Sequence, residues 1–363
     1  MTVFNAENTE WKSGDYQLFL GEQPALHDSI NRPYPELFSK YKLQKSIDWD
    51  ENEINLDQSR MDLMTCSKNN YDIMLKNLAF QWELDSIASR AIAPLFAPFV
   101  TNSELWAWYS KCTEIEVLHS LTYSEIIRQC IPNPKEAISE AMDNNNVLER
   151  STKIGEVFSE LQKIGAMYTL GLVDKNDKKV REAVLKGVVA LYCLERIEFM
   201  SSFAATFSLG EQGVFQGICK LVQKIASDEQ VHYMAGEDVI NILKRSGWKV
   251  DMNLIADQLQ DIIDSIVKQE LSWNTYLFSE GRSIVGLNKG LLDEWVLYNA
   301  QDAYSLLDLK NPYGNVKENP LPWMENWLDL NKSQNANQEA SNNNYTLNTV
   351  IDDVGEEELE FDF

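Results

Sequence analysis

Two short stretches carry metal-ligating residue types at a spacing that lets them act together. Glu116-Val117-Leu118-His119 and Glu229-Gln230-Val231-His232 each place a carboxylate three residues before an imidazole. In an α-helix the two side chains lie about 60° apart on one face, and Tyr123 follows His119 by one turn. The chain has three histidines, and two of them occupy these frames. Carboxylate with neutral imidazole is ligand chemistry for iron or manganese. Known four-helix bundles hold a metal pair this way, with one acid from each of two helices and a Glu-x-x-His from each of two others.

The sequence also supplies the two single acids. Asp85 sits on a helical stripe with Ile73, Leu78, Trp82 and Ser89, although aspartate is a poor mid-helix residue. Glu195 interrupts the apolar run Val184, Val188, Leu191, Phe199, Phe203. Glu229 and His232 continue the stripe of Ile218, Val222 and Ile225. Asp85 precedes Glu116 by 31 residues and Glu195 precedes Glu229 by 34, so the chain reads as a quasi-repeat. Asp85, Glu116, His119, Glu195, Glu229 and His232 then offer six ligands to two divalent cations. Four buried acids would otherwise be very costly, because buried charges are paired or coordinated. Glu83, Glu114 and Glu198 are neighbouring acids outside the set. Glu114 lies about 200° around the helix from Glu116 and should face away.

Tyr123 has two readings. It is a core tyrosine with a hydrogen-bonded hydroxyl, or a side chain that metal–oxygen chemistry oxidises to a radical. A radical needs a dry, inert pocket. Phe199, Phe203 and Ile225, on the metal-facing stripes of neighbouring helices, can wall one.

The elements that must position these residues are helical. Ala, Leu, Ile, Glu and Lys are common through the middle of the chain, while Pro and Gly are sparse there. The fold class is all-α: a four-helix bundle core with additional helices. Helices are expected over about 56–92, ended by Pro94 and Pro98, and from about 102 to 129, capped by Asn102 or Ser103. Shorter and longer helices follow at about 135–143 and 147–170. Others are expected at 180–207, through 218–232, at 253–279 and at 288–309. Residues 1–50, with turn signals at Gly14, Gly21, Pro24, Pro33 and Pro35, read as an arm wrapping the body, and 51–330 as the helical domain. Residues 331–363 are Asn-, Gln- and Ser-rich and then acidic, and the last thirteen hold seven acids and no base. They read as a disordered tail whose aromatic tip docks in a partner's groove or, in the alternative, only solubilises.

Net charge is −24, which argues against nucleic-acid and anionic-lipid partners. The longest apolar run, near Val188–Leu194, is far too short to span a bilayer. Five scattered cysteines without a Cys-x-x-Cys suit a reducing, cytoplasmic compartment, and no signal peptide is expected at the N-terminus.

Taken in order, these motifs resemble the radical-generating small subunit of class I ribonucleotide reductase. The matching stretches are Trp-Glu-Leu-Asp85-Ser, Glu116-Val-Leu-His119-Ser-Leu-Thr-Tyr123, Leu-Glu195-Arg-Ile-Glu-Phe199, Asp228-Glu229-Gln-Val-His232 and Gly-Leu-Asn-Lys near residue 288. Asn-Pro-Leu-Pro-Trp at 319–323 and Tyr345 also match. The resemblance runs from about residue 45 to the C-terminus. It implies a ferritin-like homodimer with a di-iron centre, manganese being possible, that uses O2 to make a stable radical at Tyr123. It also implies radical transfer through His119, Asp228, Trp49 and Tyr345, and docking of the C-terminal tail on a separate large catalytic subunit that reduces ribonucleotides. Three departures stand out: the first forty residues match nothing, Asp302 stands where a basic residue is usual, and Cys112 stands where some members have an aromatic. The alternative is a stand-alone di-iron oxygenase or oxidase, which needs an open substrate pocket beside the metals and has no use for Trp49 or the tail. An iron-storage bundle would have no role for Tyr123.

Overall fold

The computed structural model describes residues 4–27 and 30–330. The expectations for the tail, including Tyr345, lie outside the described residues. The arm carries a single turn, α1 (Glu10–Ser13), and a helix not anticipated from its mixed composition, α2 (Pro35–Ser46). A short α3 (Asp57–Thr65) precedes two long partners, α4 (Lys68–Phe96) and α5 (Ser103–Cys130). Next come α6 (Pro134–Met142), α7 (Asn145–Arg150) and α8 (Thr152–Thr169). α9 (Lys178–Cys193) passes through a π turn, Leu194–Glu198, into α10 (Phe199–Gly210). α11 (Gln216–Lys244), α12 (Trp248–Leu254), α13 (Ala256–Leu277), α14 (Lys289–Leu306) and α15 (Met324–Trp327) are the last helices among the described residues. Among the described residues there is no strand, only isolated bridges such as Phe19 with Val100. No helix among them is long and apolar enough to cross a membrane.

Four helical rods, α4, α5, α9–α10 and α11, form the core bundle, and their mutual contacts bury side chains such as Leu78, Leu84, Ile126, Val184 and Ile225 completely. α4 and α5 are joined by a short connection and run antiparallel. Their starts are capped as their sequences suggest: Ser67 Oγ accepts the Asn70 N–H at 3.2 Å, and Asn102 Oδ1 accepts the Leu105 N–H at 2.8 Å.

Two expectations need correction. Pro94 does not end its helix; α4 continues to Phe96 with Pro94 inside it. Proline disrupts the hydrogen-bond ladder around it, and here α5 supplies a replacement: Thr113 Oγ1 accepts the Ala93 N–H at 2.9 Å. The rod expected over 180–207 is not a regular helix either. Its π turn closes with the Phe199 N–H on the Leu194 carbonyl, and Glu195 sits inside it.

Candidate metal centre

The bundle interior gathers the six residues singled out by spacing. α4 contributes Asp85, α5 contributes Glu116 and His119, the π turn contributes Glu195, and α11 contributes Glu229 and His232. Ligand atoms of Asp85, Glu116, His119 and Glu229 lie within 4.8 Å of one another, as do those of Glu116, Glu195, Glu229 and His232. Glu116 and Glu229 belong to both groups and stand between them. All six are buried.

Both imidazoles turn Nδ1 into the cluster. His119 Nδ1 is 3.0 Å from Glu229 and 3.6 Å from Glu116. His232 Nδ1 is 3.1 Å from Glu116, 3.3 Å from Glu229 and 3.9 Å from Glu195. Both oxygens of Asp85, Glu116 and Glu229 and both histidine Nδ1 atoms have no hydrogen-bond partner. Burial pushes Asp85 and Glu195 up from the usual carboxylate range; Glu116 adds to this for Asp85, and Glu229 and Glu116 for Glu195. Glu116 goes the other way, to about 2, because the two histidines outweigh its burial. Convergent acceptors with no donor among them are the donor set of a cation site, so the residues present fit a pair of metal ions.

The outer face of His119 is anchored. Its Nε2 lies 3.0 Å from Asp228 Oδ2, which also accepts the Trp49 indole N–H at 2.7 Å. With Nδ1 turned to the cluster, Nε2 is the protonated nitrogen and donates to Asp228. Trp49 and His119 stack with ring centroids 6.1 Å apart. Two partners escaped the sequence reading. Gln44 of α2 donates to Asp228 Oδ1 at 2.7 Å, and Lys111 pairs with Asp48 at 2.7 Å, beside Trp49. Their signal, a polar residue five positions before a key tryptophan and a lysine on a mostly buried helix, is too common to single them out.

Tyr123 is fully buried and its hydroxyl has no protein partner. Burial raises the phenol well above its ordinary range, and Asp85 is the first of the charges acting on it. Phe199, Phe203 and Ile225 are each fully buried, and the two phenylalanine rings stack at 5.8 Å.

Of the three neighbouring acids, Glu114 faces solvent with Lys111, as its angle required. Glu83 is half-buried and accepts from Ser151 at 2.9 Å. Glu198 is different: it is fully buried with both oxygens unpartnered, yet outside both ligand groups. It lies near a buried ion pair between Arg150 and Glu270 that sequence reasoning missed.

Comparison with known proteins gives a consistent result. A family model described as ribonucleotide reductase, small chain, matches residues 29–320, beginning upstream of the motif resemblance. The ribonucleoside-diphosphate reductase subunit beta of Buchnera aphidicola subsp. Schizaphis graminum is 30% identical over 356 residues, covering 94% of each chain. The ribonucleoside-diphosphate reductase 1 subunit beta of Escherichia coli O157:H7 is 27% identical, with the same coverage. Among solved structures, a ribonucleotide reductase R2 subunit from Clostridium botulinum superposes with a TM-score of 0.77 at 19% identity, over 90% of this chain and 98% of that one. A dimanganese(II) NrdF of Streptococcus sanguinis superposes with a TM-score of 0.66 at 15% identity, over 85% of this chain and 100% of that one.

Proposed function

Because the chain belongs to the ribonucleotide reductase small-chain family and is the class I small subunit of a ribonucleoside-diphosphate reductase, we propose that it stores an oxidising equivalent as a radical at Tyr123 and passes it to a separate large subunit. The observation that carries this is the pairing of an unpartnered, fully buried tyrosine hydroxyl with the cluster of unpartnered acids and imidazoles beside it. Asp85, Glu116 and His119 would hold one metal ion, and Glu195, Glu229 and His232 the other, with Glu116 and Glu229 shared. The bound pair supplies the redox chemistry of O2. Iron is the metal proposed, manganese the alternative.

The remaining roles belong to the chain itself. Tyr123 would give up its electron, to the oxidised metal pair, and its phenolic proton, toward the carboxylates led by Asp85, together, because burial raises the phenol and disfavours phenolate. Phe199, Phe203 and Ile225 exclude water and offer the oxidised ring nothing to react with. Asp228 is placed to take and return a proton between Trp49 Nε1 and His119 Nε2, since one oxygen touches both. That makes the two aromatic rings a reversible path toward the surface. Tyr345 and the acidic tail would continue it from this chain, as a homodimer, to the separate large subunit, in the reducing cytoplasm that five unpaired cysteines suit. Against the oxygenase alternative stands the size of the cavity bordering His232 and Glu195, which offers about 10 Å³ to the centre of a small molecule, enough for a water and not for an organic substrate.

The test is electron paramagnetic resonance after ferrous iron and O2 are added to the full chain, with Tyr123→Phe alongside. A tyrosyl signal in the parent and none in the variant is expected. Two bound irons without a tyrosyl signal would withdraw the role of Tyr123.

A further inference from the structure

The two ligand histidines are held differently on their outer sides. His119 Nε2 meets a carboxylate, Asp228, at 3.0 Å. His232 Nε2 has no oxygen or nitrogen partner, although the ring is 1% exposed; the side chain within reach is the Cys112 thiol, a weak acceptor. An imidazole that ligates through Nδ1 carries its proton on Nε2, and a buried N–H left alone is expensive. Something must accept it.

The space for that acceptor exists. A small cavity with about 10 Å³ open to the centre of a water molecule is bordered by His232, Glu195, Cys112, Tyr109 and Trp108. That is about the room one water requires. The residual exposure of the surrounding side chains is consistent with a shared opening. Glu195 is 3% exposed, Tyr109 3% and Cys112 2%, while Asp85, Glu116 and Glu229 are at 0%. The cavity closes where Tyr192 packs on α11 at Gly236. A Cβ at Gly236 would come within 3.1 Å of the Tyr192 ring, so the glycine lets that ring approach. Its lining combines four side chains with polar groups, His232, Glu195, Tyr109 and Cys112, with the hydrocarbon of Ile92, Val188, Leu191 and Val239. A polar space of that size fills, whereas an apolar one stays dry.

We infer that this cavity holds one structural water that accepts the His232 Nε2 proton and donates to Glu195, and that Cys112 is the positioning residue whose small side chain makes room for it. The inference rests on the dinuclear reading of the site. It makes the two metal positions unequal by construction. His119 is oriented by a fixed carboxylate that belongs to the chain. His232 and Glu195 are oriented by an exchangeable molecule, so their metal is the more labile of the pair. Filling the cavity from Cys112 displaces the water and leaves His232 without an acceptor.

The experiment is titration of the full chain with Mn2+, with calorimetry for affinity and electron paramagnetic resonance for free Mn2+, on the parent, Cys112→Leu and Cys112→Ser. Leucine fills the space with carbon, and serine keeps both room and polarity. The parent and the serine variant are expected to bind two ions per chain. The leucine variant is expected to bind one ion as the parent does and the second at least about 10-fold more weakly, the usual scale for losing an outer-sphere partner. Equal affinity for both ions in the leucine variant would overturn the inference while leaving the dinuclear reading intact. Fewer than two ions in the parent would overturn that reading and the inference with it. If the leucine variant does not fold, a high-resolution crystal structure of the parent decides: a water within hydrogen-bond distance of His232 Nε2 is expected, and a dry cavity refutes it.

Discussion

Asp228→Asn separates the proton-carrying role of this side chain from its structural one. Asp228 receives three hydrogen bonds, from Gln44 Nε2 at 2.7 Å on Oδ1, and from Trp49 Nε1 at 2.7 Å and His119 Nε2 at 3.0 Å on Oδ2. Asparagine has the same shape but only one acceptor oxygen. That oxygen must stay in the Oδ2 place, because an indole N–H can only donate. The new NH2 group then faces Gln44, whose Oε1 has no partner. Half a turn of the Gln44 amide presents that oxygen, and all three contacts survive as neutral bonds. Bonds to a charged group are worth ~1.5–3 kcal/mol and neutral ones ~0.5–1.5, so the loss is about 1 kcal/mol per contact and about 3 in all. Against this stands the several-kcal/mol penalty of burying a carboxylate, which the amide does not incur. The two nearly cancel, and stability is expected to move by less than about 2 kcal/mol. What disappears is a group that can hold a transferred proton. Positioned acid–base groups contribute roughly 10²–10⁴-fold. Ribonucleotide reduction, assayed with the large subunit, should therefore fall at least about 100-fold, while the Tyr123 signal and thermal unfolding stay close to the parent's. Turnover within about tenfold of the parent, with the radical intact, would refute Asp228 as the proton carrier. A loss of stability beyond about 5 kcal/mol would refute the compensating turn of Gln44.

Three further outcomes are expected. Glu198 has its acid raised by burial, then by Glu270. A raised folded-state value means that the folded chain holds a proton the unfolded chain releases, so stability is full below the unfolded value near 4.5 and declines as pH rises toward the folded one, by about 1.4 kcal/mol per pH unit. Glu198→Gln should remove that slope and stabilise more at pH 8 than at pH 5 in denaturant titrations; an unchanged slope would show that Glu198 is ionised in the fold. Arg150 is 2% exposed and donates from Nε and Nη2 to the two carboxylate oxygens of Glu270. Glu270→Ala strands that charge and should cost about 3–5 kcal/mol in chemical unfolding, and a cost under about 1 kcal/mol would mean that Arg150 finds another acceptor. Chelation of the metal-loaded chain should lower its melting temperature, because an ion held at 100 times its dissociation constant adds about 2.7 kcal/mol; identical melting curves would count against cations closing the acid cluster.

The proposed ligand set is legible in the sequence because each member breaks an apolar rhythm. Asp85 and Glu195 are acids where the stripe calls for hydrocarbon, and the two Glu-x-x-His frames repeat the same break. Periodicity reports which face a residue occupies, and the ligands need little more than a face. The π turn is invisible to that logic, since Leu194–Glu198 contains ordinary helix formers. The fate of Pro94 is equally hidden, because the group that repairs the ladder, Thr113, lies on another helix. Gln44, Lys111 and the Arg150–Glu270 pair share this limit. Their partners are 184, 63 and 120 residues away, and no local pattern encodes such a distance.

The division of the ligands between two halves of the chain also sets the order in which the centre can come into being. Asp85, Glu116 and His119 are synthesised well before Glu195, Glu229 and His232. Each of the two ligand groups draws on both halves, since Glu116 and Glu229 belong to both. A growing chain that has released only α4 and α5 can complete neither group. Cation capture must wait until α11 has been made and has docked, and contacts between segments this far apart in the chain are slow to form. If the proposed ligands hold the cations, a fully loaded centre requires both halves of the bundle to have closed, and a chain lacking α11 offers neither ion its full set.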